Sequence, residues 1–193
     1  MALEARHGSV TSPESRAQLH LADWQAAGLE AGKFFPRTEA GLTDPFAPDD
    51  TVNAEPPQDG RIASAGQEFA AKLDEPDSHQ DWHKHQVRAG QALEIAWNYH
   101  AAHKTRRWNY FLTRSGWDPG ARLTRQQFSP EPIATFQNSG QPYWDANDLI
   151  PESPTVHSVT LPDDRNGYHV LLSVWEVADT GNAFYQVIDL NLA

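Results

Sequence analysis

The chain has no cysteine among its 193 residues, which excludes a disulfide framework and thiol chemistry. Positive charge is also scarce. Fifteen Lys and Arg stand against 26 Asp and Glu, a formal net charge of -11. A phosphate backbone or an anionic membrane would be repelled by such a surface, so neither a nucleic acid nor a membrane is an expected partner, and a neutral one fits better. No stretch approaches a membrane span, and the opening MALEARHGSV has no apolar core of the length a signal peptide needs. Long helical periodicity is lacking as well, because 14 Pro and 12 Gly interrupt the chain.

Aromatic side chains are plentiful, with seven Trp, five Tyr and eight Phe. The length suits one well-buried core. One domain is expected over residues 7–193, with residues 1–6 as an extension before it. In QALEIAWNYH, residues 91–100, the side chains of Leu93, Ile95, Trp97 and Tyr99 fall on one face with the period of two of a half-buried strand. Residues 108–114, 155–161, 168–177 and 184–192 read the same way. Turn signals at Ser115-Gly116, Asp118-Pro119-Gly120 and Arg165-Asn166-Gly167 separate such segments. The expectation is an all-β fold, an immunoglobulin/fibronectin III-like antiparallel β-sandwich with a long N-terminal loop region containing short helices. Within residues 11–57, rich in Pro, Asp and Ala, one short helix is expected at residues 15–27. Residues 45–58 are expected to be the most mobile part.

Nine histidines in a chain without cysteine invite a metal reading. His83 and His85 in DWHKHQV form a weak pair, for which an exposed strand face is the ordinary explanation. His79, His157 and His169 carry no companion pattern. A stronger constellation combines His7-Gly8, Ala101-Ala102-His103 and Asn182-Ala183-Phe184-Tyr185. Taken in order, HGSVTSPESRA, DGRIASAG, RRWNYFLTRSGWDP, LTRQQF and DDRNGYHVLLSVWEVADTGNAFYQVIDLNL resemble the bacterial and viral chitin-active lytic polysaccharide monooxygenases, also called chitin-binding type-4 domains or auxiliary activity family ten. The likeness runs from His7 to the C-terminus with a gap in the long loop.

That resemblance implies a histidine brace. One copper ion would be held by His7, through its imidazole and its α-amine, and by His103. Phe184 would fill the buried axial side of the metal, Ala101 would shape the substrate side, and Glu30 in GLEAGKFFP would position an oxygen species or transfer a proton. Trp24, His100, Asp179 and Asn182 would contact substrate. Without the family, Phe184 would read as core and Trp24 equally as a helix-packing residue. The implied activity is oxidative cleavage of insoluble chitin or a related polysaccharide at C1, with an external electron donor and hydrogen peroxide or dioxygen. A monomer that is secreted or otherwise exported is expected, by a route the sequence leaves open.

Two departures from the family pattern support the alternative of a non-catalytic chitin- or glycan-binding protein with the same fold. His20, Thr135 and Val159 stand where relatives carry cysteines, and MALEAR precedes His7, whose nitrogen is then an amide rather than an amine.

Overall fold

The computed structural model describes residues 7–193, and the expected extension at residues 1–6 lies outside them. Two sheets face each other. The smaller one joins β1 (Gly8–Ser12), β4 (Ala92–Tyr99) and β7 (Thr155–Thr160) in the order β1-β4-β7. In the larger one β2 (Glu30–Gly32), β9 (Asn182–Leu192), β8 (Gly167–Val177), β5 (Thr105–Leu112) and β6 (Ala134–Gln137) run in the order β2-β9-β8-β5-β6. A further strand, β3 (His85–Val87), pairs with β9 in parallel, whereas the other pairings are antiparallel. The architecture is an immunoglobulin-like β-sandwich.

The alternation read in residues 91–100 is that of β4, where Leu93, Ile95 and Trp97 are buried. β5, β8 and β9 lose this contrast because both of their faces are covered. Their inner residues, among them Trp108, Trp175, Phe184 and Ile188, pack against Val10, Ile95 and Trp97 of the smaller sheet. Their outer residues, among them Phe111, Val174, Tyr185 and Val187, are covered by Leu29, Phe35, Ile62 and Leu73 of the long N-terminal region. Each such side chain contributes about 1.5–3 kcal/mol through burial.

The N-terminal region departs from its expected form in two places. Residues 15–27 form two helices, α1 (Arg16–His20) and α2 (Asp23–Ala26), because Leu21 and Ala22 between them are extended. Ser15 caps α1 by accepting from the Gln18 N–H at 3.1 Å. Residues 45–58, expected to be mobile, are fastened instead. The Asn53 side chain donates to the carbonyls of Lys33 (2.9 Å) and Glu39 (2.8 Å) and accepts from the Leu42 N–H at 2.7 Å. Thr51 and Ala54 donate to the carbonyls of Ala178 and Gly181, and Gly32 donates to Glu55. A side chain at Gly32 would meet the Ala54 carbonyl at 1.9 Å, so this backbone crossing requires glycine. Proline and aspartate remove regular structure from such a segment, but its remaining backbone donors and carbonyls still find partners.

His157 packs between the sheets. Its ring stacks on Phe136 at 4.0 Å, and its Nδ1 lies 2.7 Å from the Tyr110 hydroxyl. Burial pushes its pKa down to about 4. The unfolded chain takes up this proton near pH 6.5, so the stability from keeping the ring neutral is fully present above that pH and is lost as pH falls towards about 4. Unfolding free energies measured by denaturation between pH 7 and pH 4.5 should fall more steeply for the wild type than for His157→Gln, by an amount on the order of 2 kcal/mol. Parallel slopes would refute the assignment.

Candidate active site at one end of the sandwich

The β4–β5 connection, the β8–β9 connection and the beginning of β1 meet at one end of the two sheets. His7 is placed there by its neighbours in sequence. Its carbonyl accepts from the His100 N–H at 2.8 Å, and the Gly8 N–H donates to Ala27 at 3.2 Å. His103 follows β4 and is 7% exposed. The two imidazoles, 96 positions apart in the chain, both lie against Phe184, with ring centroids 5.9 Å (His7) and 6.0 Å (His103) from its own.

The floor beneath them is aromatic. Trp175 on β8 pairs across strands with Phe184 on β9, and the rings stack at 4.8 Å with 27° between planes. Tyr99 and Trp97 close the cluster from the smaller sheet at 4.6 and 5.9 Å from Trp175. The Trp175 indole N–H donates to the Thr105 hydroxyl at 2.7 Å, which in turn donates to the His103 carbonyl at 3.1 Å. The orientation of the floor and the backbone of His103 are thereby coupled.

Asp179 sits on His103, with its Oδ1 3.1 Å from Nδ1. That contact occupies one ring nitrogen and leaves Nε2 on the opposite side of the ring as a donor towards a metal. Asp179, for which the resemblance implies a substrate contact, also contacts His103, a pairing across 76 positions that no local pattern signals. Glu30 lies opposite Phe184 in the β2–β9 register, and directly opposed residues of an antiparallel pair share a face. Its carboxylate accepts from the Asn182 amide at 2.8 Å, and its carbonyl accepts from Gln67 at 2.7 Å. Phe184, Asn182 and Glu30 therefore form one row.

Trp24 on α2 is 68% exposed, which removes the alternative of helix packing. His100 is half exposed and pairs with Asp23 of the same helix at 2.8 Å. Ala101, half-buried, lies between His100 and His103 in the connection. Gln186, fully buried, was not read from the sequence. It accepts from the Val10 N–H at 3.2 Å and the Ser15 hydroxyl at 2.7 Å and donates to the Ala26 carbonyl at 2.8 Å. One β9 side chain thus fixes both β1, which carries His7, and α2, which carries Trp24.

His83 and His85 are not assembled into a comparable site. Their rings are 5.1 Å apart, but only His85 lies in a strand, and its Nε2 is engaged by the Glu14 carbonyl at 2.8 Å. Among the described residues no group of three or more His, Cys, Asp or Glu side chains could hold a metal.

Gly8 is a steric requirement of this end. A Cβ there would lie 2.6 Å from the Tyr99 ring and 3.0 Å from Trp175. Gly8→Ala should therefore lower stability in chemical denaturation by about 1–3 kcal/mol through overpacking. Unchanged stability would show that the aromatic floor is looser than described.

Comparison with known proteins gives a consistent picture. The family model described as lytic polysaccharide mono-oxygenase, cellulose-degrading, matches residues 7–190. A lytic chitin monooxygenase of Enterococcus faecalis is 34% identical over 96% of this chain and 85% of its own length. A GlcNAc-binding protein A of Shewanella oneidensis is 34% identical over 97% of this chain, which spans only 36% of that longer relative. Among solved structures, a chitin binding domain from Burkholderia pseudomallei superposes with a TM-score of 0.93 at 54% identity, covering 97% of this chain and 100% of that one. A Bacillus amyloliquefaciens CBM33 in complex with Cu(I) superposes with a TM-score of 0.70 at 32% identity, covering 97% of this chain and 100% of that one. With its family model matched over residues 7–190 and these relatives aligned along nearly its whole length, the chain belongs to the lytic polysaccharide monooxygenase family.

Proposed function

We propose that this chain is a copper-dependent monooxygenase that cleaves chitin by oxidation at C1, drawing electrons from an external donor and using hydrogen peroxide or dioxygen, once His7 is the first residue. The observation that carries the reading is the convergence of His7 and His103 on Phe184, with both ring centroids within 6.0 Å of its own. Two imidazoles and the His7 main-chain nitrogen make three nitrogen donors, a set that suits Cu(II), provided that the bond between Arg6 and His7 has been cut so that the nitrogen is an amine. Copper bound there supplies the one-electron chemistry that activates the oxidant against a sugar C–H bond.

The protein's own part is positioning. Asp179, on Nδ1 of His103, holds the ring by one nitrogen, so that Nε2 would be the nitrogen offered to copper. Phe184, 0% exposed and backed by Trp175, keeps water from the inner side. Ala101 leaves the outer side open to a polymer. Glu30, held by Asn182, places a carboxylate where it can take or give a proton. Trp24 offers its exposed indole face to a sugar ring, with His100, Asp179 and Asn182 as polar neighbours on the binding face.

Chitin rather than cellulose is favoured by the names of the relatives, a lytic chitin monooxygenase and a chitin binding domain, although the family model is described as cellulose-degrading. The net charge of -11 suits a neutral glycan. A secreted or otherwise exported monomer acting on an insoluble substrate follows from this reading.

Two preparations, one beginning at Met1 and one at His7, incubated with β-chitin, Cu(II) and ascorbate and analysed by mass spectrometry, test it. Aldonic-acid oligosaccharides are expected from the His7 form alone. If neither form yields them while both sediment with chitin, the protein is a binding protein; equal yields from both would refute the requirement for a free His7 amine.

A further inference from the structure

Five of the seven tryptophans, Trp82, Trp97, Trp108, Trp117 and Trp175, are buried at 9% exposure or less, whereas Trp24 and Trp144 are 68% and 61% exposed. Both exposed ones lie at the same end of the sandwich. Trp144 is carried by the β6–β7 connection, residues 138–154. That connection leaves β6 where Gln137 pairs with Arg107, and it enters β7 where Thr155 pairs with Trp97. Arg107 and Trp97 are four residues and six residues from His103 in sequence, so both ends of the connection open beside the histidines.

The connection is also tied to them. Lys104, which follows His103, donates from Nζ to the Tyr143 carbonyl at 2.6 Å. Asn138 donates from its amide side chain to the Thr105 carbonyl and from its N–H to the Arg106 carbonyl, both at 2.9 Å. The Tyr99 N–H donates to the Ser153 hydroxyl at 3.2 Å, and Gln141 donates to Asp50 at 2.9 Å. Tyr143 supports Trp144 edge-on at 5.2 Å.

Sheet order sets the two indoles on opposite flanks. Trp24 belongs to α2, which Gln186 holds against β9 on the β1 side, while Trp144 belongs to the connection joining β6 to β7 at the far side of both sheets. His7, His103 and Phe184 lie between. We infer that Trp144 is a second sugar-stacking platform, so that one polysaccharide chain lying across His7 and His103 contacts an indole on each side. An exposed indole face presents the flat apolar surface against which the C–H face of a pyranose ring packs. The acidic side chains Asp145, Asp148 and Glu152 of the same connection add hydrogen-bond acceptors for hydroxyls and disfavour an anionic occupant.

This inference rests on the polysaccharide reading, and sedimentation isotherms with β-chitin separate the two. The whole chain is compared with Trp24→Ala, Trp144→Ala and Trp144→Phe, with thermal unfolding midpoints recorded for each. Trp144→Ala is expected to raise the apparent Kd about fivefold without lowering the midpoint, Trp144→Phe to recover part of the loss, and Trp24→Ala to weaken binding to a similar degree. Wild-type affinity in Trp144→Ala, alongside weakened binding in Trp24→Ala, would overturn the second platform and leave the polysaccharide reading intact. Failure of the wild type itself to sediment would overturn both.

Discussion

The stack of Phe184 on Trp175 is the contact on which the active-site end depends. It is a cross-strand pair between the two longest strands, with both residues fully buried. Because β8 and β9 form the centre of the larger sheet, the stack cannot tilt without moving the core. His7 approaches it from the smaller sheet and His103 from the connection between the sheets, so two histidines distant in sequence inherit a common reference surface. Gly8 is what allows this approach, since its absent side chain is the space that Tyr99 and Trp175 fill.

Buried polar contacts do the fastening that cross-links would otherwise do. Where related sequences are expected to carry cysteines, His20 packs edge-on against Trp82, Thr135 donates to Asn109 across strands, and Val159 is buried in the core. Arg16 and Asp189 form a bidentate pair at 2.6 and 2.9 Å, almost wholly buried, and Arg16 also donates to the Leu73 carbonyl. Loss of either partner of such a pair costs about 3–5 kcal/mol, because a buried charge is left without its counterpart. Beneath the connection that carries Asp179, Lys33 donates to the Val177 carbonyl at 2.6 Å, and burial brings its pKa down to about 8. Burial raises that of Glu176, which is paired with Arg107 and accepts from the Phe34 N–H.

Much of the fold was legible in the sequence because long strands leave a signal in the residues they bury. β4 shows its alternation directly; β5, β8 and β9 are legible as strands, but they read as half-buried alternation whereas both of their faces are covered. β2, β3 and β6 have three or four residues each, too few for any period. β1 is bent by a register shift between Val10 and Ser12. Residues 45–58 looked mobile because breakers suggest disorder, whereas Asn53 shows that one buried amide can hold an irregular segment. His7, His103, Phe184 and Glu30 were legible through family resemblance, not through spacing. Gln186, Lys104 and Trp144 went unread for a physical reason: their placement depends on partners that only the assembled sheets bring near.

On the proposed reading, His7 and His103 would together present three nitrogen donors to one copper ion. Electron paramagnetic resonance of the Cu(II)-loaded chain beginning at His7, prepared with 15N-labelled histidine, tests it most directly. Hyperfine coupling to three equatorial nitrogens, reduced by one in His103→Ala, is the result expected. A spectrum with fewer nitrogens, or one unaltered in His103→Ala, would contradict the brace and with it the monooxygenase mechanism.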